Sequence, residues 1–299
     1  MEGASLAGRG LAGRGVGVAW RPPLATWLLD RAQDAPHPLR FSEVVAENVS
    51  PATLPVELVG LVEAGVAVVP HGVGLGLAGA DLPDAGRLVH LARLAAALRA
   101  PLVSEHVAFV RAGKLGADEL HGDVLEAGHL VPAPRTREAL DVLVENVRAA
   151  QDALPVPLAL ENVAATLAWP EDELDEPDFL TELVARTGCW VLLDVANLYA
   201  TCQAHGGDPH ALLARMPLER VAYAHVAGGQ VQHGVYLDTH AHPVPEPVLD
   251  LVSDLRERTG ADGPPLLLER DEDVSVPTVA PELAALRARV HGVPVASGP

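Results

Sequence analysis

Short runs of β-branched and other apolar residues recur along the chain, each followed by a longer Ala- and Leu-rich stretch whose apolar positions return every three or four residues. The short runs fit strands buried on both faces, and the longer spacing fits helices laid against them. The predicted strands are Val16 to Trp20, Phe41 to Ala46, Val66 to Val69, Leu102 to His106, Leu158 to Glu161, Trp190 to Val195, Val221 to His225 and Leu266 to Glu269. The predicted helices are Leu24 to Arg31, Pro55 to Glu63, Asp84 to Leu98, Thr136 to Ala153, Asp178 to Thr187, His210 to Met216 and Pro247 to Thr259. Asp84 and Thr136 stand where an N-cap belongs, and Gly188 and Gly260 where a helix-ending glycine belongs.

Strands alternating with helices in this way imply an α/β fold, a (β/α)8 TIM barrel. An open doubly wound sheet would alternate too, so closure is an inference from the number of strands. No Pro-, Gly- or Ser-rich linker divides the chain. Residues 15–291 are therefore expected to form one barrel domain, between a flexible N-terminus over 1–14 and a tail over 292–299. Gly113 to His129 reads as a long loop after the fourth strand, and Trp169 to Pro177 as an acidic loop after the fifth. Both follow strands, on the face where such barrels keep their sites.

Charge narrows the range of partners. The 299 residues carry 21 Lys and Arg against 40 Asp and Glu, a formal net charge of −19. Such a chain is repelled by nucleic acid and by anionic membrane surfaces. An aromatic content of 3% is too low for base stacking. Lys114 is the single lysine and falls in a loop, which argues against Schiff-base catalysis. Cys189 and Cys202 cannot form a disulfide framework, and Cys202 is placed on a loop after the sixth strand as an incidental thiol. With neither a secretory signal nor an apolar run of membrane-spanning length, a cytoplasmic protein is expected. The glycines at 74, 76 and 79 spell a dinucleotide-type pattern, but no helix opens on the third, so they read as tight turns.

The histidines, thirteen in all, change the picture by where they fall. His71, His106, Glu161, Asp194, His225 and Glu269 lie at predicted strand ends, and Asn197, Asp238 and His240 lie just beyond. In a barrel these ends converge on one mouth. Several carboxylates sharing a partly desolvated mouth repel one another unless protonated or neutralised by a cation, and few arginines stand at those ends. Imidazole and carboxylate without thiolate suit iron, manganese or catalytic zinc. Nine ligands exceed the demand of one ion, so two or three bridged ions are expected, with Glu161 a candidate bridge. His121, His129, His205, His210, His233 and His242 are read as loop histidines, with His242 the nearest to the site.

In order along the chain, HGVGLGLAG, VSEHVAF, LALENV, TGCWVLLDVANLYA, AHVAGG, LDTHAHPV and LLLERD resemble the multinuclear non-heme iron-dependent oxidative enzymes. That family includes the methanobactin-biosynthesis iron oxidase and related peptide-modifying enzymes. RPP at Arg21 to Pro23 and ExxxEN at Glu43 to Asn48 look like its opening motifs. The resemblance implies a TIM barrel holding two or three irons, mixed Fe(II) and Fe(III), that use O2 to modify a residue, typically Cys, of a ribosomally made precursor peptide. It implies the nine residues above as metal ligands; Asp271, two residues beyond Glu269, is a candidate general base, the alternative being an ordinary solvated acid. It also implies a small leader-binding partner protein, and no segment here is large enough to replace one. The chain departs from the family pattern at Gly229, where a second His is usual, at Ala241 for Gly, at Ala196 for Asn and at Arg270 for Trp. Other readings of the same ligands are a metal-dependent sugar isomerase, an abasic-site endonuclease or a non-catalytic metal- or peptide-binding module.

Overall fold

The structure, a computed structural model, describes residues 10–33, 37–112, 125–260 and 262–291. Its strands are β1 (Val16–Ala19), β2 (Phe41–Val45), β3 (Ala67–His71), β4 (Val103–His106), β5 (Ala108–Ala112), β6 (Leu125–Pro132), β7 (Leu158–Glu161), β8 (Trp190–Asp194), β9 (Val221–Val226), β10 (Gln230–Gln232), β11 (Val235–Leu237) and β12 (Leu266–Leu268). Eight of them close a barrel in the order β1-β12-β9-β8-β7-β4-β3-β2, every pair parallel. These are the eight strands expected from the apolar runs, and their closure decides the fold as a TIM barrel. The other four pair as antiparallel hairpins, β5 with β6 and β10 with β11.

Around the barrel run α1 (Ala25–Ala32), α2 (Val56–Glu63), α3 (Ala85–Leu98), α4 (Arg137–Ala153), α5 (Glu176–Thr187), α6 (Val195–His205), α7 (Pro209–Arg215), α8 (Glu246–Thr259) and α9 (Val276–His291). Asp84 accepts from Arg87 N at 2.8 Å and Thr136 from Ala139 N at 3.0 Å, so both residues are N-caps. Gly188 ends α5 at φ 70 and Gly260 ends α8 at φ 76.

Alternation along each strand sorts the side chains into two cores. Outward residues such as Val18, Val68, Leu160, Val191 and Leu268 join the helices in the larger core. Inward residues below the site, among them Phe41, Val69, Leu102, Ala159, Leu192, Tyr223 and Leu267, fill the barrel itself. Gly17 belongs to this inner layer, because a Cβ there would come within 2.6 Å of Phe41 O and 2.8 Å of its ring. Leu11, in the stretch expected to be a flexible N-terminus, is fully buried in the same layer.

Several expectations need correction. Cys202 and His205 lie in α6 rather than on a loop, and Cys202 is buried. His129 belongs to β6, whereas His210, read also as a loop histidine, lies in α7, as the helix expected from His210 to Met216 has it. The charged loop expected over Gly113 to His129 is in part strand, since β6 begins at Leu125; residues 113–124, with Lys114 and His121, lie outside the described residues. Here inter-strand pairing overrides a local composition that reads as loop.

The glycine-bearing segment after β3 contains no helix opening and is held by side chains from elsewhere. Asn146 of α4, 2% exposed, directs Nδ2 at the carbonyls of Leu77, Gly79 and Asp81, at 2.8, 2.9 and 3.1 Å. Arg111 donates to Gly74 O at 2.7 Å and Leu75 O at 3.1 Å. Removing a buried donor that serves several carbonyls costs their full desolvation. Asn146→Ala is expected to lower stability by about 2 kcal/mol, read as a fall in the urea midpoint; an unchanged midpoint would show that the segment is held without it.

Candidate metal centre

The polar layer directly above the inner core is the candidate site. Strand parity that puts Phe41, Val69, Leu102, Ala159, Leu192, Tyr223 and Leu267 inside also puts Glu43, His71, Ser104, His106, Glu161, Asp194, His225 and Glu269 inside, nearer the C-terminal strand ends. All eight are buried. Among the described residues, three groups have ligand atoms within 4.8 Å of one another: His71, His106 and Glu161; Glu161, Asp194, His225 and Glu269; Asp194, Asp238 and His240. Thus eight of the nine sequence-predicted ligands converge, and Glu161 and Asp194 each belong to two groups. The ninth, Asn197, sits in the first turn of α6 with Nδ2 donating to Asn162 O at 3.0 Å. That leaves Oδ1 as the amide atom available to a ligand.

Local structure explains how the free atoms are made. Asp194 caps α6, with Oδ1 accepting from Asn197 N at 2.7 Å, while Asn162 clamps its backbone by accepting from Asp194 N at 2.8 Å and donating to Asp194 O at 3.1 Å. Asp194 Oδ2 is left without a hydrogen-bond partner, as are the buried Glu161 Oε2 and Asp238 Oδ1. Glu161 Oε2 lies 3.2 Å from His106 Nε2 and 3.5 Å from His71 Nε2, near enough for charge attraction but not aligned as hydrogen bonds. An unsatisfied buried polar atom costs about 1–3 kcal/mol. The orphaned carboxylate oxygens of Glu161, Asp194 and Asp238, at least one in each group, fit cations.

The imidazoles are also prepared on their outer sides. His71 Nδ1 meets Ser104 Oγ at 2.9 Å, His106 Nδ1 meets Gly72 O at 3.2 Å, His225 Nε2 meets Glu43 Oε2 at 3.0 Å and His240 Nδ1 meets Asp271 Oδ2 at 3.1 Å. Holding one ring nitrogen fixes the other as the ligand atom, the usual support of a metal-binding histidine.

Burial alone would raise the Glu161 carboxyl, but His225, His106 and His71 overcome it and hold it down to about 2. Burial, then the Asp238 and Glu161 charges, push Asp194 well above the carboxylate range. For His106, burial favours the neutral ring, yet Glu161 and Glu105 outweigh it and raise the pKa to about 9. His225 and His240 are likewise raised against burial, chiefly by Glu269. One carboxylate forced toward neutrality beside another held strongly ionised marks a site short of positive charge.

The rim holds a cation missing from the strand-end reasoning. Arg21, just past β1, donates to Asp271 Oδ1 from Nε at 3.0 Å and Nη2 at 2.6 Å, and Nη2 lies 3.9 Å from Glu269 Oε1. Asp271 is 47% exposed. Burial works to raise its pKa, but the His240 bond and the Arg21 charge prevail and lower it. His240 itself has φ 52, a left-handed backbone that is uncommon for a side-chain-bearing residue. Gly229 has no space for a side chain, since a Cβ there would collide with Leu237 O and meet the Tyr236 ring at 2.8 Å. His242 contacts Thr239 Oγ1 at 3.2 Å and joins none of the three groups.

Sequence reasoning missed Glu43, Ser104, Tyr223 and Asn162 as parts of this layer. Parity could have found the first three, because each lies an even number of residues from an inward neighbour on its own strand.

The barrel resembles solved sugar epimerases in fold: D-psicose 3-epimerase from Clostridium cellulolyticum H10 (TM-score 0.54, 11% identity, 93% of this chain and 98% of that one) and 3-keto-D-glucoside 4-epimerase from E. coli (TM-score 0.55, 11% identity, 91% and 98%). Among curated proteins it is 54% identical over 275 residues to a UPF0276 protein of Streptomyces avermitilis, covering 91% of this chain and 54% of the relative, so it spans about half of that protein's length. It is 36% identical over 257 residues to a UPF0276 protein of Chromobacterium violaceum, covering 86% of this chain and 87% of that protein. Residues 15–291 match the family described as RiPP precursor modification enzyme MbnB/TglH/ChrH. With residues 15–291 of its closed barrel covered by that match, the chain belongs to the MbnB/TglH/ChrH family of RiPP precursor modification enzymes.

Proposed function

We propose that residues 15–291 form one catalytic unit that holds two or three iron ions, mixed Fe(II) and Fe(III), and uses O2 to modify a residue of a ribosomally made precursor peptide, a cysteine in our reading. The observation that carries this proposal is the sharing of Glu161 and Asp194 between adjacent ligand groups, each with an orphaned oxygen. Two bridging carboxylates suit neighbouring ions better than one isolated ion. Ligand chemistry, histidine and carboxylate without cysteine, supports iron within the set of metals such donors take.

His71, His106 and Glu161 would hold one ion; Glu161, Asp194, His225 and Glu269 a second; Asp194, Asp238 and His240, with Asn197, a third. When bound, such ions supply one-electron chemistry with O2 and lower the pKa of a ligating thiol. Around them this chain's residues bind and orient. Asn162 and the α6 N-cap hold Asp194 in place, and Arg21 fixes Asp271 at the rim. Asp271, kept ionised there, is our candidate for the base that takes the proton released by the peptide, and His240 Nδ1, 3.1 Å from Oδ2, helps hold its carboxylate in place. The buried inner layer beneath the ligands excludes water from below.

A small leader-binding partner protein is proposed to present the peptide, from solution and without nucleic acid or membrane. The net charge of −19 supports a basic segment on the incoming chain. Among the described residues no helix is long and apolar enough to cross a membrane. The test is metal analysis after anaerobic purification, then mass spectrometry of a cysteine-containing peptide encoded beside this chain, incubated with O2 and the partner. Iron at two or three per chain and a changed peptide mass are expected. A protein that takes up no iron, or a peptide that keeps its mass, would overturn the proposal.

A further inference from the structure

Beneath the ligand groups a buried chain of hydrogen bonds joins His71 to His225 without passing through any of the shared ligand positions. His71 Nδ1 meets Ser104 Oγ at 2.9 Å, Ser104 Oγ meets the Tyr223 hydroxyl at 2.8 Å, the Tyr223 hydroxyl donates to Glu43 Oε2, and His225 Nε2 meets the same oxygen at 3.0 Å. Glu43, Ser104 and Tyr223 are each no more than 1% exposed. Nothing about metal binding requires these residues to touch an ion.

Counting protons gives the chain a direction. Tyr223 has one hydroxyl proton, and the carboxylate of Glu43 takes it, because a charge-assisted bond is the stronger. The tyrosine oxygen can then only accept from Ser104, so Ser104 Oγ must accept from His71, and His71 must carry its proton on Nδ1. Its lone pair is left on Nε2, the nitrogen 3.5 Å from Glu161 Oε2. At the other end His225 donates from Nε2 to Glu43, so Nδ1, which is 3.2 Å from Glu161 Oε1 and 2.8 Å from Glu269 Oε2, is the nitrogen left to exchange its proton for a cation. The two rings thus ligate through opposite nitrogens, and one carboxylate dictates both choices.

We propose that Glu43, through Tyr223 and Ser104, is a positioning device that sets the ligating tautomers of His71 and His225 together and so prepares two adjacent cation groups as one unit. This rests on the reading of the site as a metal centre. Glu43 acts on His225 directly and on His71 at a distance of two hydroxyls. A cation arriving at either group therefore finds the imidazole of the other already turned to receive its neighbour. Tyr223 packs edge-on against Phe41 at 6.1 Å, so its ring also belongs to the apolar layer, and only its hydroxyl belongs to the device.

The test uses cobalt(II) titration of the metal-free full chain, followed by its visible absorption bands. Tyr223→Phe keeps the ring and removes the relay; its cobalt affinity is expected to fall about tenfold or more, as losses of outer hydrogen-bond partners do. The bands should change for the group containing His71 and remain for the group containing His225. Glu43→Gln is expected to weaken both groups. Ser104→Ala should reproduce the tyrosine variant, with Ser104→Thr restoring binding, and it carries the test if Tyr223→Phe does not fold. Native affinity and native bands in the Tyr223 and Ser104 variants overturn the inference alone. A native chain that takes up no cobalt overturns the metal-centre reading, and this inference with it.

Discussion

Glu161→Gln is expected to empty two ligand groups with a single change. Each Glu161 oxygen faces a different set of imidazoles: Oε2 faces His106 at 3.2 Å and His71 at 3.5 Å, while Oε1 faces His225 at 3.2 Å. An amide of the same shape keeps one oxygen, loses the charge and turns a donor toward one of those sets. Replacing any other ligand except Asp194 touches one group only. The metal content of Glu161→Gln should therefore fall by at least two ions relative to the native chain, whereas His240→Ala should lose no more than one. Loss of a single ion from Glu161→Gln, measured by elemental analysis of anaerobically loaded protein, would show that the carboxylate does not bridge.

The second large effect is on pH dependence, and its sign differs between the metal-free and the loaded chain. His106 has its pKa raised from 6.5 to about 9, with burial opposing and the Glu161 and Glu105 charges prevailing. A group whose folded value is raised contributes stability that is full below its unfolded value and is lost as pH rises through the folded one. That contribution amounts to about 3 kcal/mol between pH 6.5 and 9. His225 and His240 are raised in the same direction. Asp194 is raised too, through burial and then Asp238 and Glu161, so it likewise loses stability as pH rises above its unfolded value. The Tm of the metal-free chain should fall from pH 6.5 to 9 by roughly 5 °C or more. Loading works the other way, since cations require the imidazoles deprotonated and bind more tightly as pH rises. The gap between loaded and metal-free Tm should widen toward pH 9. A metal-free Tm that stays flat across this range would show that protons do not balance the cluster.

What the sequence made legible follows from which interactions are local. Most of the barrel strands could be read because a parallel strand covered on both faces is an apolar run, as in VLL of β8 and LLL of β12, whereas β2 (FSEVV) and β4 (VSEH) carry Ser and Glu within theirs. The ligands at their ends stood out because charge is costly there. Helix α6 escaped because Val195, Ala196, Asn197, Leu198, Ala200 and Cys202 are all buried, so its sequence lacks the one-sided periodicity that announces a surface helix. Helix α9, absent from the predicted helices, has Pro277 in its first turn and continues through Pro281. Glu43, although it opens the ExxxEN motif, was not placed among the site residues because it lies inside a strand rather than at its end, and parity with Phe41 is what puts it there. Arg21 was hidden by distance, since its partner Asp271 is 250 residues away in the chain.

The third ligand group differs from the others in what carries it. His71, His106, Glu161, Asp194, His225 and Glu269 lie at the ends of paired barrel strands, but Asp238 and His240 hang on the segment after the β10–β11 hairpin. A cation held between Asp194 and these two would act as a removable cross-link, closing the stretch from Ala227 to Val244 onto the barrel. Cross-links of this kind act through chain entropy, restricting the loop's excursions while the surrounding sheet is unaffected. The same ion that completes the ligand set would then also decide how readily a protease can cut this stretch.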